Sequence, residues 1–291
     1  MKILNFGSLN IDKVYSVAHF IRPGETLGSV SYAENVGGKG LNQSVALKKA
    51  GADVYHAGAV GKDGKMFTDY LQKVGVDTSL ISIADIATGH AIIQVDANGQ
   101  NCILLFGGAN KSIEPAQCDE VLSKFSKGDI ILLQNEISNI DYIMNAASEK
   151  GMRIAFNPSP MDVSIFSLPL EKVEWLLVNE TEGFDLTDTS NPDEILDRLI
   201  KKYPNMKVVL TLGGDGVMYG DKTQRVFVNA FKVKAVDTTA AGDTFTGYFL
   251  KAMADGEDIE TALKRASKAS SITVSRAGAA ETIPFADEVI I

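Results

Sequence analysis

Val236-Asp237-Thr238-Thr239-Ala240-Ala241-Gly242-Asp243-Thr244-Phe245-Thr246-Gly247 decides the fold and the chemistry of this chain. A β-prone run, Phe231 to Val236, leads into it, and an amphipathic helix leaves it. Phe245, Tyr248, Phe249, Ala252 and Met253 recur at helical spacing and mark one buried face, and Gly256 stands where the helix stops. Ala240-Ala241-Gly242 is therefore a tight turn of small residues at a helix N-terminus. Unpaired amides and the positive end of the helix dipole converge there, which suits an anion, above all one that gains charge during a reaction. Asp243 falls in the first helical turn. It can cap the helix, or it can take the proton of a hydroxyl that attacks a phosphate.

Working outward, the chain has the rhythm of an α/β protein. Ile3–Phe6, Asp53–Val60, Ile130–Leu133, Met152–Phe156, Trp175–Val178 and Val208–Leu212 are nearly continuous apolar runs. Parallel strands covered on both faces read this way. Helical segments alternate with them at 44–50 and 64–74. Asp258 caps a last helix, from Ile259 to about Thr273. Its small row Ala262, Ala266, Ala269 and Ser270 admits either close helix packing or the approach of something flat. Asn10, Asp12, Glu136, Asn157, Asn179, Glu182, Gly213 and Asp243 each fall just after a strand. Singly each is turn or cap chemistry. Together they line one edge of a parallel sheet, where such sheets bind ligands.

Two stretches interrupt the rhythm. Residues 14–34 alternate weakly around Pro23-Gly24, and residues 91–106 read as a hairpin turning at Asn98-Gly99. The pair predicts a small antiparallel sheet, a lid that keeps water from a transferable phosphoryl group. Asn35-Val36-Gly37-Gly38-Lys39-Gly40-Leu41-Asn42-Gln43-Ser44 follows the first stretch. Its glycines let the backbone approach a ligand, with Lys39 and Asn42 projecting from the turn. It is neither a Walker loop nor a dinucleotide fingerprint, which argues against an oxidoreductase that binds NAD.

The chain of 291 residues suits one large α/β domain with an inserted lid. Apolar residues make up 45% and charged residues 22%, as in ordinary globular chains. A net charge of −9 argues against nucleic acid and anionic membranes, so a phosphate site has to be locally positive. Cys102 and Cys118 have no metal or redox spacing, and His19, His56 and His90 are scattered. That pattern fits a reducing cytoplasm and no zinc site. The N-terminus reads as a strand rather than a signal peptide, and no apolar run is long enough to span a bilayer.

These motifs resemble the PfkB-type carbohydrate kinases, in their ribokinase-like branch, over almost the whole length. Gly7-Ser8-Leu9-Asn10-Ile11-Asp12 looks like the sugar-binding segment. Pro23-Gly24-Glu25-Thr26 with Gly37-Gly38-Lys39-Gly40-Leu41-Asn42-Gln43 resembles the first family signature. Asp237 to Phe245 resembles the second. The resemblance implies a ribokinase-like doubly wound, mostly parallel sheet with helices on both faces and a small β lid. It also implies transfer of the γ-phosphoryl of ATP to a sugar hydroxyl. Asn10, Asp12, Gly38, Lys39, Asn42 and Glu136 would bind the sugar. Asp243 would be the general base, and the amides of Ala240, Ala241 and Gly242 the anion hole. Asn179 and Glu182 resemble an NxxE motif tied to magnesium and phosphate. Thr211, Gly213, Gly214, Gly216 and Ser267 would surround the nucleotide.

Asp237, Thr239, Thr273, Arg276, Gly278 and Thr282 fall where the family places a monovalent cation such as potassium, although alanine and serine are commoner at the positions of Thr273 and Thr282. The glycine-lysine-asparagine run favours ribose. Deoxyribose, a ketose such as fructose, a sugar acid or a nucleoside is an alternative within the family, and a non-catalytic sugar sensor is an alternative on the same fold. Exposed lid edges and the resemblance together predict a homodimer through the lid.

Overall fold

The computed structural model describes residues 1–291. In chain order it contains β1 (Ile3–Phe6), β2 (Asn10–Ser16), β3 (Ser31–Gly37), α1 (Lys39–Lys49), β4 (Val54–Val60), α2 (Lys65–Val74) and β5 (Asp77–Ile83). Next come β6 (Gly89–Val95), β7 (Asn101–Phe106), α3 (Pro115–Leu122), β8 (Ile130–Gln134), α4 (Ile140–Glu149) and β9 (Arg153–Asn157). The chain ends with β10 (Val173–Asn179), α5 (Glu180–Thr187), α6 (Pro192–Lys202), β11 (Lys207–Thr211), β12 (Gly216–Gly220), β13 (Arg225–Asn229), α7 (Ala241–Asp255) and α8 (Ile259–Val274).

Nine strands form one sheet in the order β13-β12-β11-β10-β9-β8-β1-β4-β5. From β11 to β5 every pair is parallel, and only the pairs β11–β12 and β12–β13 are antiparallel. The apolar runs follow from burial on both faces. Ile3, Ile130, Leu132, Trp175 and Leu177 enter one core with α1, α2, α7 and α8. Their neighbours Leu4, Ile131, Leu133, Leu176 and Val178 enter a second core with α3, α4 and α6. Successive side chains thus feed opposite cores, so no position on these strands can be polar without a buried partner. Connections from β1 run outward in both directions, towards β4 on one side and β8 on the other. A crevice opens at such a switch point, beyond the carboxyl ends of the strands.

A second sheet has the order β3-β2-β6-β7. It differs from the expected antiparallel lid in one respect: β2 and β6 pair in parallel. Both strands are entered from the carboxyl edge of the main sheet, one after β1 and the other after β5, so they run the same way. The hairpin at Asn98-Gly99 is present, with Gly99 at φ 77°. Asn10 and Asp12, read as loop residues, are on β2 itself.

Two further expectations change, and one open reading is decided. Residues 231–236 are not a strand: they pair with neither sheet, and Val236 N instead donates to Val274 O at 2.7 Å, at the end of α8. Helix α1 begins at Lys39 rather than at Ser44, so the glycine-rich stretch is the helix start. Ala262, Ala266 and Ala269 are fully buried in the core shared with α7, so the small row serves helix packing.

Candidate active site

Two close helix approaches and one glycine turn build the site. An added Cβ on Gly40 would meet the backbone nitrogen of Ser8 at 2.3 Å, so α1 presses directly on the end of β1. A Cβ on Gly247 would meet the Cβ of Ala46 at 2.4 Å, so α7 lies equally close to α1. Gly38, at φ 98°, turns the chain from β3 into α1. These contacts set the start of α1 beside the start of α7.

Asp243 lies between them and is buried. Its carboxylate does not cap α7, whose N-cap, Ala240, adopts a left-handed conformation at φ 60° with no side-chain cap. Instead Asn42 Nδ2 donates to Oδ2 at 3.0 Å and Gln43 Nε2 donates to Oδ1 at 2.8 Å. At the start of α7 the Ala241 amide turns back to Thr238 O at 3.2 Å, and Thr244 N opens the helical ladder on Ala240 O at 2.8 Å. The amides of Ala240, Gly242 and Asp243 have no protein acceptor. Of the expected donors, Ala241 N is thus already bonded within the chain, and the Asp243 amide is free beside those of Ala240 and Gly242. A Cβ built on Gly242 meets nothing within 4 Å, so this side of the turn is open.

A cleft of about 230 Å³ lies over the turn. Lys39, Asn157, Asn179, Glu182, Thr211, Ala240, Ala241, Gly242 and Asp243 line it. It joins residues from both halves of the main sheet. Glu136 lies beside Lys39 at one end of it: Ser8 Oγ donates to its Oε2, and the Lys39 amide donates to the same oxygen at 3.1 Å. Burial pushes the Glu136 carboxyl up, against the pull of Ser8 and Lys39. Burial, and then the neighbouring Glu136 charge, pushes Asp12 up to about 6. Asn10 Oδ1 accepts from Asn110 Nδ2 at 2.8 Å, which ties β2 to the turn after β7.

At the other end Asn179 and Glu182 form a reciprocal capping box on α5. Asn179 Oδ1 accepts from Glu182 N at 2.9 Å, and Glu182 Oε2 accepts from Asn179 N at 3.0 Å. The box holds the Glu182 carboxylate at the cleft wall. Gly213 and Gly214 form an open turn beyond β11, where an added Cβ meets nothing. Gly216 has a different reason to be glycine, since a Cβ there would lie 2.1 Å from Val228 O. Ser267, half-buried on α8, does not line the cleft.

The expected cation residues come together only in part. Asp237 Oδ1 accepts from Thr239 N at 2.9 Å, and Oδ2 accepts from Gly278 N at 3.2 Å. Thr273 pairs its hydroxyl with Thr244 at 3.0 Å, and its carbonyl accepts from Arg276 N. Thr282 Oγ1 donates to Ala279 O at 2.7 Å, while Arg276 Nη1 donates to Thr282 O at 3.2 Å.

The sequence does not mark Gln43, Gln134, Ser8 or Asn110 as site residues, and it places Asn157 on the ligand-binding edge without a role. For Asn157 the signal existed, in the row of polar residues at strand ends. For Gln43 the signal depends on α1 beginning at Lys39, because a helix read from Ser44 leaves Gln43 in a loop.

Residues 1–286 match the profile of the pfkB family carbohydrate kinases. The chain belongs to that family. It is 33% identical over 298 residues to a ribokinase of Haemophilus influenzae, covering 98% of this chain and 95% of that one. Among solved structures, a Cryptococcus neoformans var. grubii ribokinase in complex with ADP superposes with a TM-score of 0.87 at 32% identity, over 99% of this chain and 98% of that one. An Arabidopsis thaliana ribokinase complexed with ribose and ATP superposes with a TM-score of 0.88 at 28% identity, over 99% and 96%. The architecture is thus the ribokinase-like fold, and this kinase is a phosphotransferase acting on a sugar hydroxyl. No helix in it is long and apolar enough to cross a membrane.

Proposed function

We propose that this kinase transfers the γ-phosphoryl group of ATP to the hydroxymethyl oxygen of D-ribose, with Asp243 as the general base. The observation that carries the reading is the pairing of Asp243 with Asn42 at the open start of α7. Asn42 gives its amide to the carboxylate, and its own Oδ1 is buried without a partner. Asn42 thereby holds the carboxylate where it lines the cleft, beside the free amides of Gly242 and Asp243. The relatives that carry ribose and nucleotide support the choice of ligands.

In this reading Asn10, Asp12, Gly38, Lys39, Asn42 and Glu136 hold the sugar, with the carboxylates accepting from hydroxyls. Asp243 takes the proton of the attacking hydroxyl. A new oxygen–phosphorus bond forms, the bond to the β–γ bridging oxygen breaks, and ADP leaves with that electron pair. The free amides of Ala240, Gly242 and Asp243 receive the charge on the transferred group, and Lys39 adds a positive charge in a chain of net charge −9. Thr211, Gly213 and Gly214 border the nucleotide.

Magnesium fits the cleft through Glu182, whose capping box engages only Oε2. When bound, the ion would neutralise phosphate charge. A monovalent cation fits less fully. Asp237, Thr239 and Gly278 converge, whereas the carbonyl oxygens of Thr273 and Thr282 already have donors. Exposed Ile103, Leu104, Leu105 and Phe106 on edge strand β7 support a homodimer through the lid sheet. Free Cys102 and Cys118 support a cytoplasmic setting, which cell fractionation tests.

The test is ADP release across a panel of ribose, deoxyribose, fructose, sugar acids and nucleosides, run on wild type and Asp243→Asn. Ribose is expected to give the highest kcat/KM. The variant is expected to fold and bind sugar while losing at least ~10²-fold in kcat. Preference for another acceptor would overturn the choice of sugar, and near-normal turnover by Asp243→Asn would overturn the base.

A further inference from the structure

Beneath the cleft runs a chain of buried amides that the proposed chemistry does not use. Gln43 Nε2 donates to Asp243 Oδ1 at 2.8 Å, and Gln43 Oε1 accepts from Gln134 Nε2 at 2.7 Å. Gln134 Nε2 also donates to Asn5 Oδ1 at 2.9 Å. Asn5 Nδ2 donates to the backbone oxygen of Gly40 at 2.6 Å and to Ser44 Oγ at 2.8 Å. Asn5, Gln43 and Gln134 are each fully buried.

The direction of the chain is dictated from its far end. A side-chain amide has one donor group and one acceptor, and a backbone carbonyl can only accept. Gly40 O therefore obliges Asn5 to turn its nitrogen towards α1 and its oxygen towards β8. That oxygen obliges Gln134 to present its nitrogen, which faces Gln43 Oε1 as well. Gln43 is left with only its donors for Asp243. A second backbone carbonyl enforces the same result. Leu177 O accepts from Asn157 Nδ2 at 2.9 Å, which leaves Asn157 Oδ1 to accept from Gln43 Nε2 at 3.4 Å. A flipped Gln43 would set its oxygen against the Asp243 carboxylate and Asn157 Oδ1, and its nitrogen against Gln134 Nε2.

Stability is a poor reason for this arrangement. Gln134 ends β8, otherwise Ile130-Ile131-Leu132-Leu133, and its Oε1 is buried without a partner. An apolar side chain at 134 alone would trade that cost for two unpaired acceptors, Asn5 Oδ1 and Gln43 Oε1, and only an apolar replacement of the whole set would avoid it. The cost is accepted at the one point where β8 meets the residue that touches Asp243.

We propose that Gln134 and Gln43 are positioning residues that fix the plane and the hydrogen-bonded face of the Asp243 carboxylate, with the polarity of the relay set by Gly40 O through Asn5. This rests on Asp243 being the general base.

The test is a kinetic double-mutant cycle with Gln43→Met and Gln134→Met, near-isosteric changes that remove polarity. Each variant is assayed for kcat, sugar KM, ADP release and melting temperature. Gln43→Met is expected to lower kcat by ~10–10²-fold and Gln134→Met by ~3–10-fold, with sugar KM within about threefold of wild type, as for loss of an interaction that serves only the transition state. The double variant is expected to be no slower than Gln43→Met, because Gln134 acts only through Gln43. Multiplying losses in kcat, or losses that track melting temperature, would make the amides structural and overturn the proposal. Should Gln43→Met fail to fold, Gln134→Met decides alone, since it touches neither Asp243 nor the cleft, and unchanged kcat there overturns the relay. Asp243→Asn separates the two readings. An active Asp243→Asn removes the base, whereas an inactive one beside fully active glutamine variants removes only the relay.

Discussion

Gly247→Ala tests whether helix packing sets the position of the base. The added Cβ would lie 2.4 Å from Ala46 Cβ, 2.7 Å from Leu47 N and 2.8 Å from Ala46 C, where ordinary contact begins at 3.4 Å. Two of these three atoms are backbone, so no rotamer change relieves the clash. Helix α7 has to retreat from α1 by about 1 Å, because protein cores are close-packed. Overpacking of this kind costs about 1–3 kcal/mol. For a chain of this size that lowers the melting temperature by on the order of 5 °C. Asp243 lies four residues earlier on the same helical face, so it moves with Gly247. Its contacts with Gln43 and Asn42, now 2.8 and 3.0 Å, would pass beyond hydrogen-bonding distance. Misplacing a catalytic group by 1 Å can cost ~10²-fold in rate.

The assay is kcat and sugar KM by coupled ADP release, beside a thermal melt. The expected result is a kcat lower by one to two orders of magnitude, roughly 10–10²-fold, with sugar KM changed much less. Adding Ala46→Gly removes the 2.4 Å contact and leaves the backbone ones, so it should recover only part of the loss. A Gly247→Ala enzyme that melts earlier yet turns over normally would refute the reasoning, since α7 would have moved without carrying the base out of place.

Three further outcomes are expected. Asp12, raised to about 6, is protonated below that pH and then accepts sugar hydroxyls poorly, so kcat/KM for the sugar should fall about tenfold per unit below pH 6. Asp12→Asn should be slow and flat over that range, and an unchanged acid limb would assign it elsewhere. His56 is buried, shares a hydrogen bond with Ser44 Oγ at 2.7 Å, and is held down to about 3 by burial. The unfolded chain binds this proton first, so the stability it contributes is complete above pH 6.5 and erodes towards pH 3 by up to about 1.4 kcal/mol per unit. Asp12 pulls the opposite way between its ordinary value and 6, so the diagnostic is the difference between wild type and His56→Gln. The variant should lose less melting temperature between pH 7.5 and 5, and parallel losses would count against the assignment. Finally, Leu104→Asp on exposed β7 should convert a dimer into a monomer in sedimentation velocity, and a monomeric wild type would end the lid-interface idea.

Most of the main sheet is legible in the sequence because its strands feed two cores at once. Ile130-Ile131-Leu132-Leu133 has to be apolar at every position for that reason. The same logic explains what is not legible. Strands β12 and β13 form an antiparallel edge hairpin, where Arg225, Phe227 and Asn229 face solvent, so no continuous apolar run marks it. Residues 231–236 do alternate, yet alternation becomes a strand only when the segment lies alongside a neighbour, and this one leaves the edge for the end of α8, where Val236 N donates to Val274 O at 2.7 Å. In the lid, the hairpin at Asn98-Gly99 is a local signal, whereas the parallel pairing of β2 with β6 is set by where the chain leaves the main sheet.

The site divides along the same line between local and distant causes. The turn at 240–242 and the first-turn carboxylate are local, and both are present. Whether Asp243 caps its own helix or faces elsewhere is decided by residues about two hundred positions away, since its partners Asn42 and Gln43 are on α1. Reading α1 from Ser44 leaves those two amides in a loop with no fixed direction. Starting it at Lys39 puts both in the second helical turn, facing α7. The glycines that seemed to serve a ligand explain the shift. Gly40 has to lie against Ser8 before the helix can begin there, and Gly247 has to lie against Ala46 before Asp243 can reach across. The glycine pattern therefore encodes helix approach, and helix approach in turn aims the carboxylate. A substitution that spares every polar residue in the cleft but thickens one of these two contacts should be as damaging as loss of a ligand-binding side chain.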